Sequence, residues 1–87
     1  MVIVKKFSAA WCGPCRMLAP MFEQVKTGYS NVTFENIDID EDYDSVQKYG
    51  VSSVPTVIIE KNGEVIERFT GLQSKIAYTN AINEAIK

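Results

Sequence analysis

The chain has 87 residues, 46% of them hydrophobic, with a formal net charge of −2 at pH 7 and no histidine. This length suits a single domain, residues 1–87, and nothing in the near-neutral charge points to binding of nucleic acid or of an anionic membrane. No apolar run approaches membrane-spanning length and the opening Met1–Val4 is too short for a signal peptide, so we expect a cytoplasmic protein with no membrane partner.

The chain begins with an apolar run, Val2–Val4 followed by Phe7, which predicts a short buried strand. A helix is predicted next, from Gly13 to about Gly28. Its apolar residues recur at the i, i+3, i+4, i+7 spacing of one buried face: Leu18, Met21, Phe22 and Val25. The first strand therefore leads directly into an amphipathic helix.

The only two cysteines, Cys12 and Cys15, lie where this strand gives way to the helix. A tetrahedral zinc or iron site needs four ligands, and without histidine or a second cysteine pair only a dimer could complete it. Two inert buried thiols are a second interpretation, but Gly-Pro between them at a helix start suits core filling poorly. A reversible disulfide fits best, because it moves two electrons without a metal or a cofactor.

The position of Cys12 at the helix N-terminus favours its thiolate. Unpaired backbone N–H groups and the positive end of the helix dipole stabilise negative charge there. Pro14 suits the first turn, where no N–H is required of it. Because the thiolate is the nucleophile of disulfide exchange, Cys12 is predicted to attack, and Cys15, expected to lie deeper, to resolve the mixed disulfide.

A second strand is predicted from Asn31 to about Ile39, and its core-facing residues are Val32, Phe34 and Ile37. Strand, helix and strand of this length favour a parallel pair with a right-handed crossover. In the acidic stretch that follows, Asp40 is predicted to cap a short helix that runs to about Tyr49 and ends at Gly50.

Two further strands, Val54–Glu60 and Glu64–Phe69, are joined by Asn62-Gly63, a strong hairpin signal, and should pair antiparallel. A last helix is predicted from a cap at Ser74 to about Ile86. Its buried face consists of Tyr78, Ala81, Ile82 and Ala85. The sequence thus predicts an α/β protein with a four-stranded mixed sheet flanked by three helices, in the order β-α-β-α-β-β-α.

The segment Trp11-Cys12-Gly13-Pro14-Cys15 resembles the active site of the thioredoxin family. Other matching segments run along most of the chain: Ala19-Pro20, Ile39-Asp40, Tyr49-Gly50-Val51, Val54-Pro55-Thr56, Lys61-Asn62-Gly63-Glu64 and Thr70-Gly71. The resemblance implies a minimal thioredoxin fold and a monomeric dithiol–disulfide oxidoreductase that reduces disulfide-containing protein substrates through Cys12 and Cys15. A thioredoxin reductase or another dithiol donor would recharge the pair.

The resemblance also implies a substrate groove. Val54-Pro55-Thr56 matches the family's cis-proline loop, although most X-Pro bonds are trans. The implied substrate-binding residues are Trp11, Gly13, Pro14, Val54, Pro55, Thr70, Gly71 and Leu72. We expect them to form a flat apolar patch that bonds to a partner's main chain. The same patch leaves a second class of function open, a thioredoxin-fold binding subunit of a partner enzyme without redox turnover.

Two positions depart from the family pattern. Lys6 stands where the family usually has a buried Asp that relays protons to the resolving thiol, and Asn36 stands where that Asp has a lysine partner. An inward Lys6 would modulate the thiol pKa values. The shortness of the strand favours the alternative, in which the stem runs along the sheet and the ammonium reaches water. The family also has a further strand and helix before Val2, so we expect one sheet face to be thinly covered.

Overall fold

Four strands and three helices make up the computed structural model, which describes residues 1–87. In chain order they are β1 (Val2–Ser8), α1 (Gly13–Thr27), β2 (Val32–Asp38), α2 (Tyr43–Tyr49), β3 (Thr56–Lys61), β4 (Glu64–Thr70) and α3 (Lys75–Ala85). The strands form one sheet in the order β2-β1-β3-β4. Strands β1 and β2 are parallel, and the other two pairs are antiparallel. The predicted mixed sheet, element order and fold class are confirmed.

The larger core lies between the sheet and the pair of helices α1 and α3. Alternate strand residues point into it because successive side chains of a strand face opposite sides. Its buried members are Val2, Val4, Leu18, Phe22, Val25, Val32, Val57, Ile59, Tyr78, Ile82 and Ala85. Phe22 packs edge-on against Phe34 and Tyr78. Both amphipathic faces predicted from the sequence point inward, with Met21 and Ala81 only partly buried.

The opposite sheet face has a smaller core and a single helix, α2. Phe7, Ile37, Tyr49 and Ile58 are buried together there, so Ile37 lies on the other side of the sheet from Val32 and Phe34. The cover of this face is extended by a network of polar side chains. We define the Lys5 network as Lys5, Glu35, Tyr49 and Glu60.

Lys5 is the centre of that network. Its Nζ donates to Glu35 Oε1 at 2.8 Å and lies 3.5 Å from Glu60 Oε1, while the Tyr49 hydroxyl donates to Glu60 Oε1 at 2.9 Å. Burial by itself lowers the pKa of Lys5, but the hydrogen bond and charge of Glu35, with Tyr49 and Glu60, leave that pKa raised. Burial, with the bond to Glu60, raises the pKa of Tyr49. Both groups are therefore stabilised in their protonated forms.

The N-terminus of α2 differs from the prediction. Its cap is Asp42, whose Oδ1 accepts from the Ser45 backbone N–H at 3.1 Å and whose Oδ2 accepts from the Ser45 hydroxyl at 2.8 Å. These two bonds lower the pKa of Asp42. The prediction that Asp40 caps this helix is wrong. Asp40 lies in a turn after β2, in which its backbone N–H donates to Asp38 Oδ1 at 2.9 Å. The helix ends as predicted, at Gly50 with a φ of 62°.

The C-terminal half follows the prediction closely. Ser74 caps α3, its hydroxyl oxygen accepting from the Ala77 N–H at 3.1 Å. The Asn62-Gly63 turn has φ values of 54° and 83°, the left-handed conformation that such hairpins require. Strand β3 starts at Thr56 and not at Val54, because Val54 and Pro55 lie in a bend joined by a cis peptide bond. None of the helices is both long and apolar enough to cross a membrane.

Candidate active site

The two cysteines form a disulfide at the start of α1. Their Cα atoms are 5.3 Å apart, within the range that a disulfide bridges. Cys12 is the N-cap residue, and its Sγ accepts from the Cys15 backbone N–H at 3.2 Å. A hydrogen bond from a backbone donor at the positive end of a helix favours a thiolate at this sulfur once the pair is reduced. The predicted placement of Cys12 at a helix N-terminus is thus confirmed.

The predicted difference in depth between the cysteines is wrong. Cys12 and Cys15 are both 5% exposed, packed with Ala9 and against Ile39 and Val54. Because burial does not distinguish the two residues, we expect any difference in reactivity to come from the local electrostatics of the two sulfurs.

That electrostatic difference predicts selective alkylation. In the reduced protein near neutral pH, iodoacetamide should label Cys12 about tenfold faster than Cys15, the ratio expected when one thiol pKa lies one unit lower. Peptide mass spectrometry at successive times measures both rates. Cys12→Ser and Cys15→Ser proteins give the rate of each thiol alone. Equal rates at both positions would contradict the assignment of Cys12 as the nucleophile.

The proline loop lies directly beside the redox pair. The Val54–Pro55 bond is cis, as the resemblance implied, and the carbonyl oxygen of Val54 is 3.7 Å from Cys12 Sγ. Pro55 itself is buried, and its carbonyl oxygen accepts from the Gly71 N–H at 2.8 Å. Gly71 has a φ of 86°, a conformation that glycine tolerates best. The loop and the segment at Gly71 are thereby joined into one wall next to Cys12.

Trp11 forms the other side of the site. Its side chain is 64% exposed, and its Nε1 donates to Asp40 Oδ2 at 2.9 Å. The surface position predicted for this residue is confirmed, and Gly13 and Pro14 are exposed beside it. The role of Asp40 was missed, since a run of several acids gives no local signal of which one bonds to a distant indole. The carboxylate fixes the direction in which the ring faces.

The third segment of the predicted groove, Thr70-Gly71-Leu72, lies at the end of β4. Thr70 is exposed and pairs with Thr56 at the end of β4. Leu72 is half-buried and packs against the larger core, on the side of α1 and α3. Gly71 is the residue of this segment that is bonded to the proline loop. Leu72 therefore supports the segment from within.

The side chain of Lys6 has features of both predicted alternatives, since it runs inward and its ammonium still reaches water. The residue is 7% exposed, and its Nζ lies 5.3 Å from the centroid of the Phe22 ring, so the stem runs inward beneath α1. No buried side-chain nitrogen lacks a hydrogen-bond partner, so the Lys6 ammonium, which bonds to no protein group, reaches solvent at its tip. Burial lowers the pKa of Lys6, and the charge of Glu23 opposes that shift. Asn36 is its neighbour across the β1–β2 pair.

A helix-capping disulfide, a cis-proline loop against its first sulfur and this sheet topology define a thiol–disulfide oxidoreductase with a thioredoxin fold. A family model described as Thioredoxin matches residues 1–84. The chain belongs to the thioredoxin family. It is accordingly a dithiol–disulfide oxidoreductase that acts on protein disulfides through the pair Cys12 and Cys15, and a binding subunit without redox turnover is not favoured.

Relatives from three domains of life agree with this assignment. Over 83 residues the chain is 42% identical to a thioredoxin of Chlamydia pneumoniae, covering 95% of this chain and 81% of that protein. It is 44% identical to thioredoxin-2 of Saccharomyces cerevisiae over 85 residues, covering 98% and 77%. The structure of a mutant thioredoxin from Halobacterium salinarum superposes with a TM-score of 0.90 at 35% identity, covering 99% and 75%.

Proposed function

We propose that this protein works in the cytoplasm as a monomeric, single-domain reductant, residues 1–87, which takes electrons from a thioredoxin reductase or another dithiol donor. It passes them to disulfide-containing proteins, and so contributes to electron transport and redox homeostasis of the cell. The observation that supports this most is the Cys15 N–H donating to Cys12 Sγ at 3.2 Å, since that bond prepares Cys12 for nucleophilic attack.

The reaction has two steps. The Cys12 thiolate attacks one sulfur of the substrate disulfide, forming a mixed disulfide and releasing the first substrate thiolate, which takes up a proton. The Cys15 thiol then loses its proton and attacks Cys12 Sγ. The Cys12–Cys15 disulfide forms, the bond to the substrate breaks, and the second substrate thiolate leaves. Two electrons have then moved from the cysteine pair to the substrate, without a metal or a cofactor.

The groove positions the substrate for that attack. In the proposal, the exposed residues Trp11, Gly13 and Pro14 form one side of the groove. The half-buried Val54 and Gly71, with the buried Pro55, form the other side, and Thr70 lies at its rim. The carbonyl oxygen of Val54, 3.7 Å from Cys12 Sγ, can accept from the backbone N–H of an extended segment. This main-chain bond would align many different sequences beside Cys12. Leu72 contributes by supporting the Gly71 segment.

Insulin reduction tests the proposed function. The oxidised protein is supplied with NADPH and purified thioredoxin reductases, or with dithiothreitol as the alternative dithiol donor, and insulin precipitation is followed by turbidity. We expect turnover that depends on the protein in at least one of these systems. Reduction by dithiothreitol at the uncatalysed rate, with and without the protein, would refute the proposal.

Oxidation should stabilise the fold if the protein is a reductant. A low reduction potential means that the native state favours the disulfide relative to an unfolded dithiol. For a loop this short the chain-entropy estimate is about 2 kcal/mol, or about 10 °C in melting temperature for a domain of this size. Circular dichroism melts of the oxidised and the dithiothreitol-reduced protein measure the difference. A reduced form that melted higher would indicate a disulfide-forming oxidant.

A further inference from the structure

A lysine with a buried stem lies under the first turns of α1 in this chain. Lys6 is 7% exposed and has no hydrogen bond or ion pair to any protein group, although its tip reaches solvent. Its Nζ lies over the face of the Phe22 ring, 5.3 Å from the ring centroid. The apolar stem is covered while the ammonium stays hydrated, so the fold holds a positive charge in a partly desolvated position beside α1.

Lys6 borders the resolving cysteine. Both residues line one open depression of about 290 Å³ between β1, the end of β2 and the first turns of α1. The other lining residues are Ser8, Ala9, Ala10, Arg16, Ala19 and Asp38. Cys12 is not among them. Lys6 and Cys15 therefore share one open space, and Cys12 does not line it.

Two other charged groups line the depression, and a third acts on Lys6. Arg16, on α1, carries a positive charge, and its Nη2 donates to the Ala10 carbonyl at 3.2 Å. Asp38, at the end of β2, carries a negative charge, and its Oδ1 accepts from the Asp40 N–H at 2.9 Å. Glu23, on α1, interacts with Lys6 by charge. Of these four groups, Lys6 is the only buried one.

We propose that Lys6 is a positioning residue for the resolving step, its ammonium favouring the thiolate form of Cys15. A positive charge in a partly desolvated space stabilises a nearby thiolate more than a thiol. When the mixed disulfide is resolved, the Cys15 proton goes to solvent in the depression and Lys6 keeps its own proton. The thiolate then displaces the substrate cysteine from Cys12 Sγ. This inference rests on the proposed function, since it concerns how the second step is assisted.

The decisive measurement is the pKa of Cys15 in the absence of any substrate. In a Cys12→Ser protein Cys15 is the single thiol, and thiolate absorbance near 240 nm against pH reports its titration. Adding Lys6→Met should raise that pKa by about 0.5–1 unit, less than the shift expected for two groups in direct contact. Adding Lys6→Arg should leave it within about 0.2 unit, because the guanidinium keeps the charge at similar length.

The Arg variant separates a charge effect from proton acceptance. A guanidinium cannot act as a base near neutral pH, so a Lys6→Arg protein that behaves like Lys6→Met would overturn the proposal. An unchanged Cys15 pKa in Lys6→Met would overturn it as well. If Lys6→Met does not fold, Lys6→Gln provides the test, since its neutral polar side chain can stay hydrated at the open end of the depression. It should raise the Cys15 pKa as Lys6→Met would, and an equal or lower value would contradict the proposal.

Kinetics link the titration to the second step. In proteins that keep both cysteines, reaction with a chromogenic aryl disulfide forms a mixed disulfide at Cys12. Cys15 should resolve it about three- to tenfold more slowly near pH 7 in Lys6→Met than in wild type, and the difference should vanish at high pH. Lys6→Arg should match wild type. These readings do not depend on insulin turnover. If Lys6→Met raises the Cys15 pKa as expected but the wild-type protein does not reduce insulin, only the proposed function is refuted. If the wild-type protein reduces insulin but Lys6→Met leaves the Cys15 pKa unchanged, only the role of Lys6 is refuted.

Discussion

A Cys15→Ser protein should become a trap for its substrates. Cys12 keeps its place at the helix N-terminus and the N–H bond from residue 15, so it still attacks a disulfide. The serine hydroxyl cannot displace the substrate, and the mixed disulfide persists. We expect insulin reduction to fall by about three orders of magnitude or more, as when one member of a catalytic unit is removed. Non-reducing gel electrophoresis and intact mass should show a stoichiometric covalent adduct that dithiothreitol releases.

Cys12→Ser is the matched control for this experiment. It should lose turnover to the same degree and form its adduct about tenfold more slowly, because Cys15 is expected to be the slower nucleophile. Adducts in Cys12→Ser and none in Cys15→Ser would reverse the two roles. Full insulin reduction by either variant would contradict the two-cysteine mechanism. A partner that bound both variants as well as wild type, without adduct formation, would instead indicate a binding role at the Trp11 and Val54 surface.

The features that could be predicted from the sequence are those with a local cause. The buried face of α1 follows from apolar spacing, the hairpin at Asn62-Gly63 from backbone preference, and the capping of α3 from the Ser74 hydroxyl. The position of Cys12 at a helix start follows from where the strand pattern stops. Each of these depends on residues within one or two turns, so tertiary contacts do not change it.

The features that were missed depend on distant contacts. Asp40 and Asp42 are chemically equivalent, and the turn after β2 decides that Asp42 caps α2 while Asp40 bonds to Trp11. The equal burial of Cys12 and Cys15 depends on how closely Ala9, Ile39 and Val54 pack over the first turn. No periodicity in the chain encodes either arrangement. The resemblance to a family implied the cis proline, which spacing alone would not have indicated.

The sheet face under α2 shows how a charged strand residue can be buried. Lys5 and Glu60 have side chains that are 14% and 9% exposed, and both belong to strands next to each other in the sheet. Tyr49 joins them to α2 through its hydroxyl, and its ring also lies 5.3 Å from Lys5 Nζ. The aromatic ring, the carboxylate and the ammonium therefore cover the strands beside the small core of Phe7, Ile37 and Ile58.

Removing the carboxylate of this network should be costly. Glu60→Ala leaves the Tyr49 hydroxyl without its acceptor and removes one of the two carboxylates beside Lys5, which should lower the free energy of unfolding by about 2–3 kcal/mol. Tyr49→Phe keeps the ring and should cost about 1 kcal/mol. The matched control is Glu84→Ala, which breaks an exposed pair with Lys87 and should cost about 0–0.5 kcal/mol. Urea unfolding of the oxidised proteins near neutral pH measures all three. A Glu60→Ala protein no less stable than Glu84→Ala would contradict this role of the network.

The network also predicts how stability depends on alkaline pH. The pKa values of Lys5 and Tyr49 are raised in the folded protein, from 10.5 and 10.0. The folded state therefore holds these protons more tightly, so their contribution is fully present below the unfolded values and is lost as the pH rises through the folded ones. Wild type should lose stability steeply above about pH 10, and Tyr49→Phe, which lacks one of the two titrating groups, should lose it less steeply. Urea midpoints measured from neutral pH to beyond that range give the two slopes, and parallel curves would show that Tyr49 does not contribute to the alkaline transition.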